Sequence, residues 1–116
     1  MTRRIAAVRS VPLRAPLARP FVIASGRLDT VDNLAIGITL ADGMTGWGEV
    51  PVLPGVTPET PALLAREWPH LAAMLERLEF DNWRDVSRRL ALRFEALPGL
   101  RAGVEMAVID ALARAD

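Results

Sequence analysis

The sequence predicts an α+β domain in which three strands precede a set of helices. Three observations support this fold class: apolar residues alternate with a period of two before residue 51, they follow a helical period after residue 57, and an Asp-Gly pair at 42–43 marks a hairpin turn. Strands grouped ahead of helices are typical of segregated α+β folds and not of alternating βαβ units. We therefore expect a three-stranded antiparallel meander followed by a bundle of three to four helices.

The predicted strands differ in how regular they are. Residues 4–13 form a first strand of poor regularity, and residues 16–32, rich in prolines and small residues, are expected to be a long connection. Residues 33–41 alternate most clearly, and residues 44–50 return as the third strand. The alternating apolar positions of the second strand are Leu34, Ile36, Ile38 and Leu40.

Helical spacing begins after a second loop at 51–57. Thr57 is predicted to cap the first helix, at 58–68, with Pro58 in its first turn, and Pro69 is expected to end it. The remaining helices are predicted at 70–78, 82–97 and 100–115. The last of them approaches the final residue without a capping glycine, which is expected either of a frayed terminus or of a chain cut from a longer polypeptide.

The composition excludes several kinds of chemistry. The 116 residues include no Cys, no Lys and no Tyr, and all 14 basic side chains are Arg. Disulfides, thiolate nucleophiles, Schiff-base lysines and a P-loop lysine are therefore absent. The formal net charge of zero gives no electrostatic reason to bind nucleic acid, and no apolar run is long enough to span a membrane.

The residues alone assemble no catalytic or metal site. The single histidine, His70, has no partner ligand close in sequence, and Glu105 and Asp110 fall on different faces of a helix, where pairing with arginine explains them better. Gly-Trp-Gly-Glu at 46–49 lacks the spacing of dinucleotide-binding glycines and favours close backbone packing. The places left for ligand contact are the loops at 21–32 and 51–57.

Several motifs occur in a defined order along nearly the whole chain. They are Arg-Pro-Phe at 19–21, Ala-Asp-Gly at 41–43, Gly-Trp-Gly-Glu at 46–49, Thr-Pro-Glu-Thr at 57–60 and Ala-Gly-Val-Glu-Met-Ala-Val-Ile-Asp-Ala at 102–111. In this order the chain resembles the N-terminal capping domain of the enolase superfamily. The resemblance is to the mandelate racemase/muconate lactonizing enzyme branch, and within it to dipeptide epimerases of the L-Ala-D/L-Glu epimerase type.

The resemblance implies that residues 1–116 are one capping and specificity domain, truncated before a (β/α)7β barrel. In the family the barrel holds Mg²⁺ and the lysines that remove and return a proton α to a carboxylate. Since the barrel supplies the metal ligands and this chain contains no Lys to act as acid or base, we expect it to hold no Mg²⁺ tightly and to catalyse nothing alone. The parent would be a cytoplasmic, homo-oligomeric isomerase whose partners are its own barrel and a small carboxylate or dipeptide, with no nucleic acid and no membrane.

The resemblance also places two specificity loops, at 22–27 and 52–56. The residues expected to contact substrate are Ile23, Ser25, Gly26, Arg27, Leu53 and Val56. The aliphatic members favour an apolar portion of substrate, and the guanidinium of Arg27 can bind a carboxylate. Glu49 and Asp110 are expected to be framework residues.

Three hypotheses of function stay open. The first is the cap of a dipeptide epimerase, and the second is the cap of a muconate cycloisomerase or of an o-succinylbenzoate synthase/N-acylamino acid racemase. The third, of another class, is a stand-alone α+β interaction module with no catalysis. A cap predicts an exposed apolar patch where the barrel docks, whereas a stand-alone module predicts a polar surface.

Overall fold

The computed structural model describes residues 2–24 and 26–116. Its strands form one antiparallel sheet in the order β3-β2-β1-β4, with β1 at Arg3–Ile23, β2 at Gly26–Leu40, β3 at Thr45–Val50 and β4 at Glu79–Phe80. The helices are α1 at Pro61–Leu75, α2 at Trp83–Arg93 and α3 at Pro98–Ala115. The α+β class is confirmed, and the short strand β4, which pairs with Arg3 and Arg4, adds a fourth strand to the predicted three.

The hairpin of β1 and β2 is much longer than predicted. Pairing reaches the tip, where Val22 lies opposite Arg27, with a shift of register between Pro16 and Phe21, so the segment 16–32 is mostly strand and not the predicted connection. The prediction is wrong because prolines do not by themselves exclude a strand. A proline removes a hydrogen bond of the ladder only when its nitrogen faces the partner strand. Pro12 and Pro16 are an even number of residues apart and so face the same edge of β1. Within the described part of the chain, the strand paired at that outer edge is β4, opposite Arg3 and Arg4 alone.

Helix α3 lies directly against β3. A Cβ atom at Gly48 would collide with the carbonyl oxygen of Gly103, and one at Gly46 would collide with the backbone of Ala107 and Ala111. The two backbones can approach so closely only because these positions lack side chains. The close backbone packing predicted from the Gly-Trp-Gly-Glu motif is therefore confirmed, and its partner is the final helix.

Asp110 of α3 also covers the outer edge of β3. The backbone N–H of Trp47 donates to Asp110 Oδ2 at 2.9 Å, and Arg114 Nε donates to the same oxygen at 3.1 Å. The Trp47 bond and then the arginine hold the pKa of Asp110 below its ordinary value. Asp110 therefore joins sheet to helix, while Glu105 accepts a 2.6 Å bond from Ser87 Oγ and joins α3 to α2.

The first helix corrects two predictions. It begins one Thr-Pro pair later than expected, because Thr60 and not Thr57 is the cap and its Oγ1 accepts the N–H of Leu63 at 3.1 Å. It also continues through Pro69, so the predicted helices 58–68 and 70–78 are one helix. Leucines buried on both sides of Pro69 keep the helix on the sheet and offset the lost backbone bond. They are Leu64, Leu71 and Leu75.

The other two helices differ from prediction at their ends. Helix α2 ends at Arg93, short of the predicted 97, and α3 begins at Pro98, ahead of the predicted 100. A capping box at Asn82 and Asp85 starts α2, and the N–H of Asp81 is the largest cause of the lowered pKa of Asp85. None of the helices in the described part of the chain has the length and hydropathy of a membrane span.

Candidate functional site

An open cleft of about 160 Å³ lies between the tip of the hairpin and the loop at 51–57. It is lined by Phe21, Ile23, Gly26, Arg27, Leu28, Leu53 and Pro54. Most of these side chains are apolar and one is cationic. Two segments far apart in sequence thus form one concave surface, which we call the tip cleft.

The hairpin wall of the tip cleft is exposed. Ile23 lies opposite Gly26 at the end of the ladder. Gly26 has a φ of 154°, a conformation that residues with a Cβ atom rarely adopt. Phe21, which lines the cleft, is 49% exposed, and its neighbour Val22, outside the lining, is 68% exposed. This wall consequently presents apolar side chains to solvent on a two-stranded support.

The loop wall is held by its own hydrogen bonds. The carbonyl of Leu53 accepts the N–H groups of Val56 and Thr57, both at 2.9 Å, and Thr57 Oγ1 accepts the N–H of Leu53 at 3.1 Å. The N–H of Val52 donates to Asn33 Oδ1 at 3.0 Å, which joins the loop to β2. The hydroxyl of Thr57, predicted as a helix cap, therefore closes this turn.

Arg27 carries the only cationic side chain among the residues that line the tip cleft. Its Nε donates to Asp29 Oδ1 at 2.8 Å, and both side chains are 62% exposed. An ion pair this exposed contributes about 0–1 kcal/mol to stability. A ligand carboxylate can therefore replace Asp29 at small cost, with a hydrogen bond of the same kind.

The structure brings most of the predicted contact residues together. Ile23, Gly26, Arg27 and Leu53 line the tip cleft. Val56 belongs to the same loop and is exposed, but it is not part of the lining, and Ser25 lies outside the described residues. The lining residues that the sequence did not single out are Phe21, Leu28 and Pro54. Recognising 16–32 as a hairpin would have revealed the first two, because Phe21 and Leu28 are cross-strand partners.

The described residues do not fit a magnesium site. Across 2–24 and 26–116, no group of three or more His, Cys, Asp or Glu side chains is placed to hold a metal ion. Mg²⁺ requires several oxygen ligands in octahedral geometry. His70 is exposed on α1 and is not part of the tip cleft lining. What this arrangement can do is contact an apolar group and a carboxylate.

Comparison with known proteins gives a consistent family. The pattern of the mandelate racemase / muconate lactonizing enzyme, N-terminal domain, matches residues 5–116. An L-Ala-D/L-amino acid epimerase of Populus trichocarpa is 47% identical over 111 residues, covering 89% of this chain and 25% of that protein. A hydrophobic dipeptide epimerase of Citrifermentans bemidjiense is 38% identical over 109 residues, covering 93% of this chain and 29% of that protein.

A solved structure shares the same fold. The crystal structure of a dipeptide epimerase from Methylococcus capsulatus, complexed with Mg and the dipeptide L-Arg-D-Lys, matches with a TM-score of 0.82 and 31% identity. The match covers 97% of this chain and 32% of that one. The chain thus spans about a quarter to a third of the length of the proteins that it matches.

Proposed function

Because the chain belongs to the mandelate racemase/muconate lactonizing enzyme family, as the N-terminal domain of an enolase-superfamily protein, we propose that it caps the active site of an isomerase and selects its substrate. The observation that carries this proposal is the tip cleft, a concave apolar surface with one arginine, formed where the tip of the hairpin meets the loop at 51–57. Its residues have binding chemistry and no acid–base pair. The proposed role is therefore selection and not catalysis.

The reaction we propose for the whole protein is epimerisation of a dipeptide. Each of the three similar proteins named above is an epimerase, and the one from Methylococcus capsulatus was solved with Mg and a dipeptide. Since the described residues do not fit a magnesium site, we assign the metal to a C-terminal domain. There a bound Mg²⁺ would stabilise the negative charge that develops when the proton α to a carboxylate is removed.

The residues of this chain would act on the substrate by contact. Leu53 and Phe21 would cover an apolar side chain of the substrate and exclude water from it. Arg27 would bind a carboxylate by exchanging it for Asp29. The substrate class that fits is a dipeptide with an apolar residue and a free carboxylate.

A second surface supports the presence of a partner domain. Along α3, residues 102, 106, 109 and 113 follow helical spacing and lie on the side away from the sheet. These exposed apolar residues, which we call the α3 stripe, are Ala102, Met106, Ile109 and Ala113. An apolar stripe of this kind favours a covered face over the polar surface of a stand-alone module. We propose that the C-terminal domain covers it; the homo-oligomeric state and cytoplasmic location of the parent remain predictions.

The proposed function is tested by joining this domain to a C-terminal domain and supplying L,L-dipeptides with Mg²⁺ in D₂O. We expect deuterium at one α-carbon, measured by mass spectrometry, with dipeptides of apolar side chains preferred. The R27A variant should raise KM with little change in kcat, because the contact binds ground state and transition state alike. If no dipeptide exchanges its α-proton for deuterium while muconate is converted to a lactone, the cycloisomerase hypothesis is favoured and ours is contradicted.

A further inference from the structure

One buried carboxylate lies outside the chemistry proposed so far. Glu59 is 1% exposed, and it is the only polar or charged side chain that is buried within residues 2–24 and 26–116. Its Oε2 accepts the N–H of Gly99 at 2.7 Å and that of Leu100 at 3.1 Å. A buried charge is costly unless hydrogen bonds compensate it. The contact therefore has to be explained.

The partner of Glu59 is the first turn of α3. The residue at the N-cap position, Leu97, offers no side-chain acceptor, so the first N–H groups of the helix lack a local partner. Glu59 supplies the acceptor from 40 residues away, where the helix dipole also favours a negative charge. Gly99 makes the room, since a Cβ there would lie 2.9 Å from Glu59 Oε1.

Glu59 also follows directly on the loop that forms one wall of the tip cleft. The turn within that loop joins Leu53 to Val56 and Thr57 through three hydrogen bonds and ends two residues ahead of Glu59. At the other end of the loop, Val50 packs directly on Gly103 of α3. The contact is so close that a Cβ at Gly103 would lie 2.6 Å from Val50 Cγ2. The loop is thus attached to α3 at both ends, by packing at one and by a carboxylate at the other.

We propose that Glu59 is a positioning residue of the tip cleft: its carboxylate ties the loop at 51–57 to the first turn of α3 and so fixes where Leu53 and Pro54 stand. The value of this tie for specificity rests on the function proposed above. The tie itself does not, since it consists of contacts within the chain. The length of the side chain matters most, because both amides must be reached from the end of the loop.

The length requirement separates two conservative variants. E59Q keeps the length and one acceptor oxygen, and its NH₂ group would occupy the position of Oε1, which has no hydrogen-bond partner among the described residues. E59D keeps the charge but is one methylene shorter, so the loop and the helix would have to move to restore the contact. E59A removes the contact altogether.

The experiment is amide NMR and hydrogen exchange on the ligand-free 116-residue protein. In E59A we expect exchange to accelerate about tenfold or more at Gly99 and Leu100, and also at Val56 and Thr57, whose N–H groups bond to Leu53. In E59D the amide shifts of the loop should move together with those of the helix turn. In E59Q they should stay near wild type, which is rescue by length.

The matched control removes a cap elsewhere. In N82A the side-chain acceptor of α2 is lost, and exchange should accelerate at Arg84 with the loop at 51–57 unchanged. If E59A and E59D alter only Gly99 and Leu100, Glu59 is a helix cap alone and the proposal is overturned. If E59A does not fold, E59D and E59Q decide in the same way.

A kinetic readout connects the tie to specificity. In the protein joined to its C-terminal domain, E59D should raise KM for the preferred dipeptide several-fold more than it lowers kcat, and E59Q should not. An unchanged KM in E59D would contradict a role in specificity. If no dipeptide is epimerised at all, the proposed function fails, while the exchange pattern still decides whether Glu59 positions the loop.

Discussion

The two walls of the tip cleft are supported in opposite ways. The loop wall is attached to α3 at both ends, by the packing of Val50 on Gly103 and by the bonds of Glu59. The hairpin wall lies at the end of a two-stranded arm, by which we mean the outer part of the β1–β2 hairpin at residues 16–32. Phe21 and Val22 are exposed there. This arrangement keeps one side of the tip cleft fixed and leaves the residues of the other side free to vary without cost to the core.

The largest effect is expected when a methyl group is added where β3 packs on α3, the helix to which the loop wall is attached. In G48A the new Cβ would collide with the carbonyl oxygen of Gly103, and neither backbone can move without separating α3 from the sheet. We expect loss of the native fold or destabilisation of about 3 kcal/mol or more, measured by urea unfolding. The control is G37A, where the Cβ would lie 3.0 Å from the ring of Trp47. That ring is half-exposed and can shift, so an effect in G37A as large as in G48A would contradict the explanation.

Truncation of apolar side chains compares body and arm directly. Ile38 of β2 is 0% exposed, and I38A should cost about 2–5 kcal/mol. Phe21 is on the arm, and F21A should cost less than about 1 kcal/mol even though the side chain removed is larger. Both values come from chemical denaturation at one pH. Equal losses would mean that the arm is as much part of the core as β2 is near its C-terminal end.

Acid should weaken the contact between α3 and β3. Because the N–H of Trp47 and Arg114 lower the pKa of Asp110 in the folded protein, the stabilisation from its charge is complete above the ordinary value near pH 3.9. It is lost as the pH falls through the lowered folded pKa. The unfolding free energy of D110N should therefore be smaller at pH 7 and fall less steeply between about pH 4 and pH 2. D85N is the comparison at α2, because the pKa of Asp85 is lowered as well and the same pH dependence is expected there. If the unfolding free energy of D110N depends on pH in parallel with that of wild type, the assignment to Asp110 is contradicted.

The smallest effect on stability is expected at the α3 stripe. Replacing Met106 and Ile109 by Gln should change the unfolding free energy by less than about 0.5 kcal/mol, because both side chains are about half exposed. Binding of a hydrophobic dye and self-association of the 116-residue protein should both decrease, as followed by fluorescence and sedimentation. Leu92→Gln, on the exposed side of α2, is the matched control. Dye binding that falls only in the Leu92 variant would place the apolar patch elsewhere.

The sequence predicted the body of the domain better than the arm. The strand at 33–41 and the turn at 42–43 were predictable because burial of one face imposes a period of two, which the leucines and isoleucines of β2 display. The arm was predicted as a loop because neither of its faces is buried enough to impose that pattern. Prolines on an unpaired edge then look the same, in sequence, as prolines in a loop.

The tie through Glu59 could not be predicted. The sequence shows a Thr-Pro-Glu-Thr segment, in which an acidic residue after Pro58 suggests the first turn of a helix. The glutamate does serve a helix N-terminus, but that of α3, and no local pattern specifies a partner 40 residues away. The absence of a polar cap before Pro98 is the one signal that a distant acceptor was required.

The prolines of β1 also affect whether the outer edge of this strand can pair with another molecule. The outer edge of a long strand invites pairing with a strand from another molecule, the first step toward aggregation. Along this edge Pro12 and Pro16 offer no donor, so a strand from another molecule would miss a hydrogen bond at each of these two positions. The same residues that conceal the arm from sequence analysis therefore keep it from growing into a larger sheet.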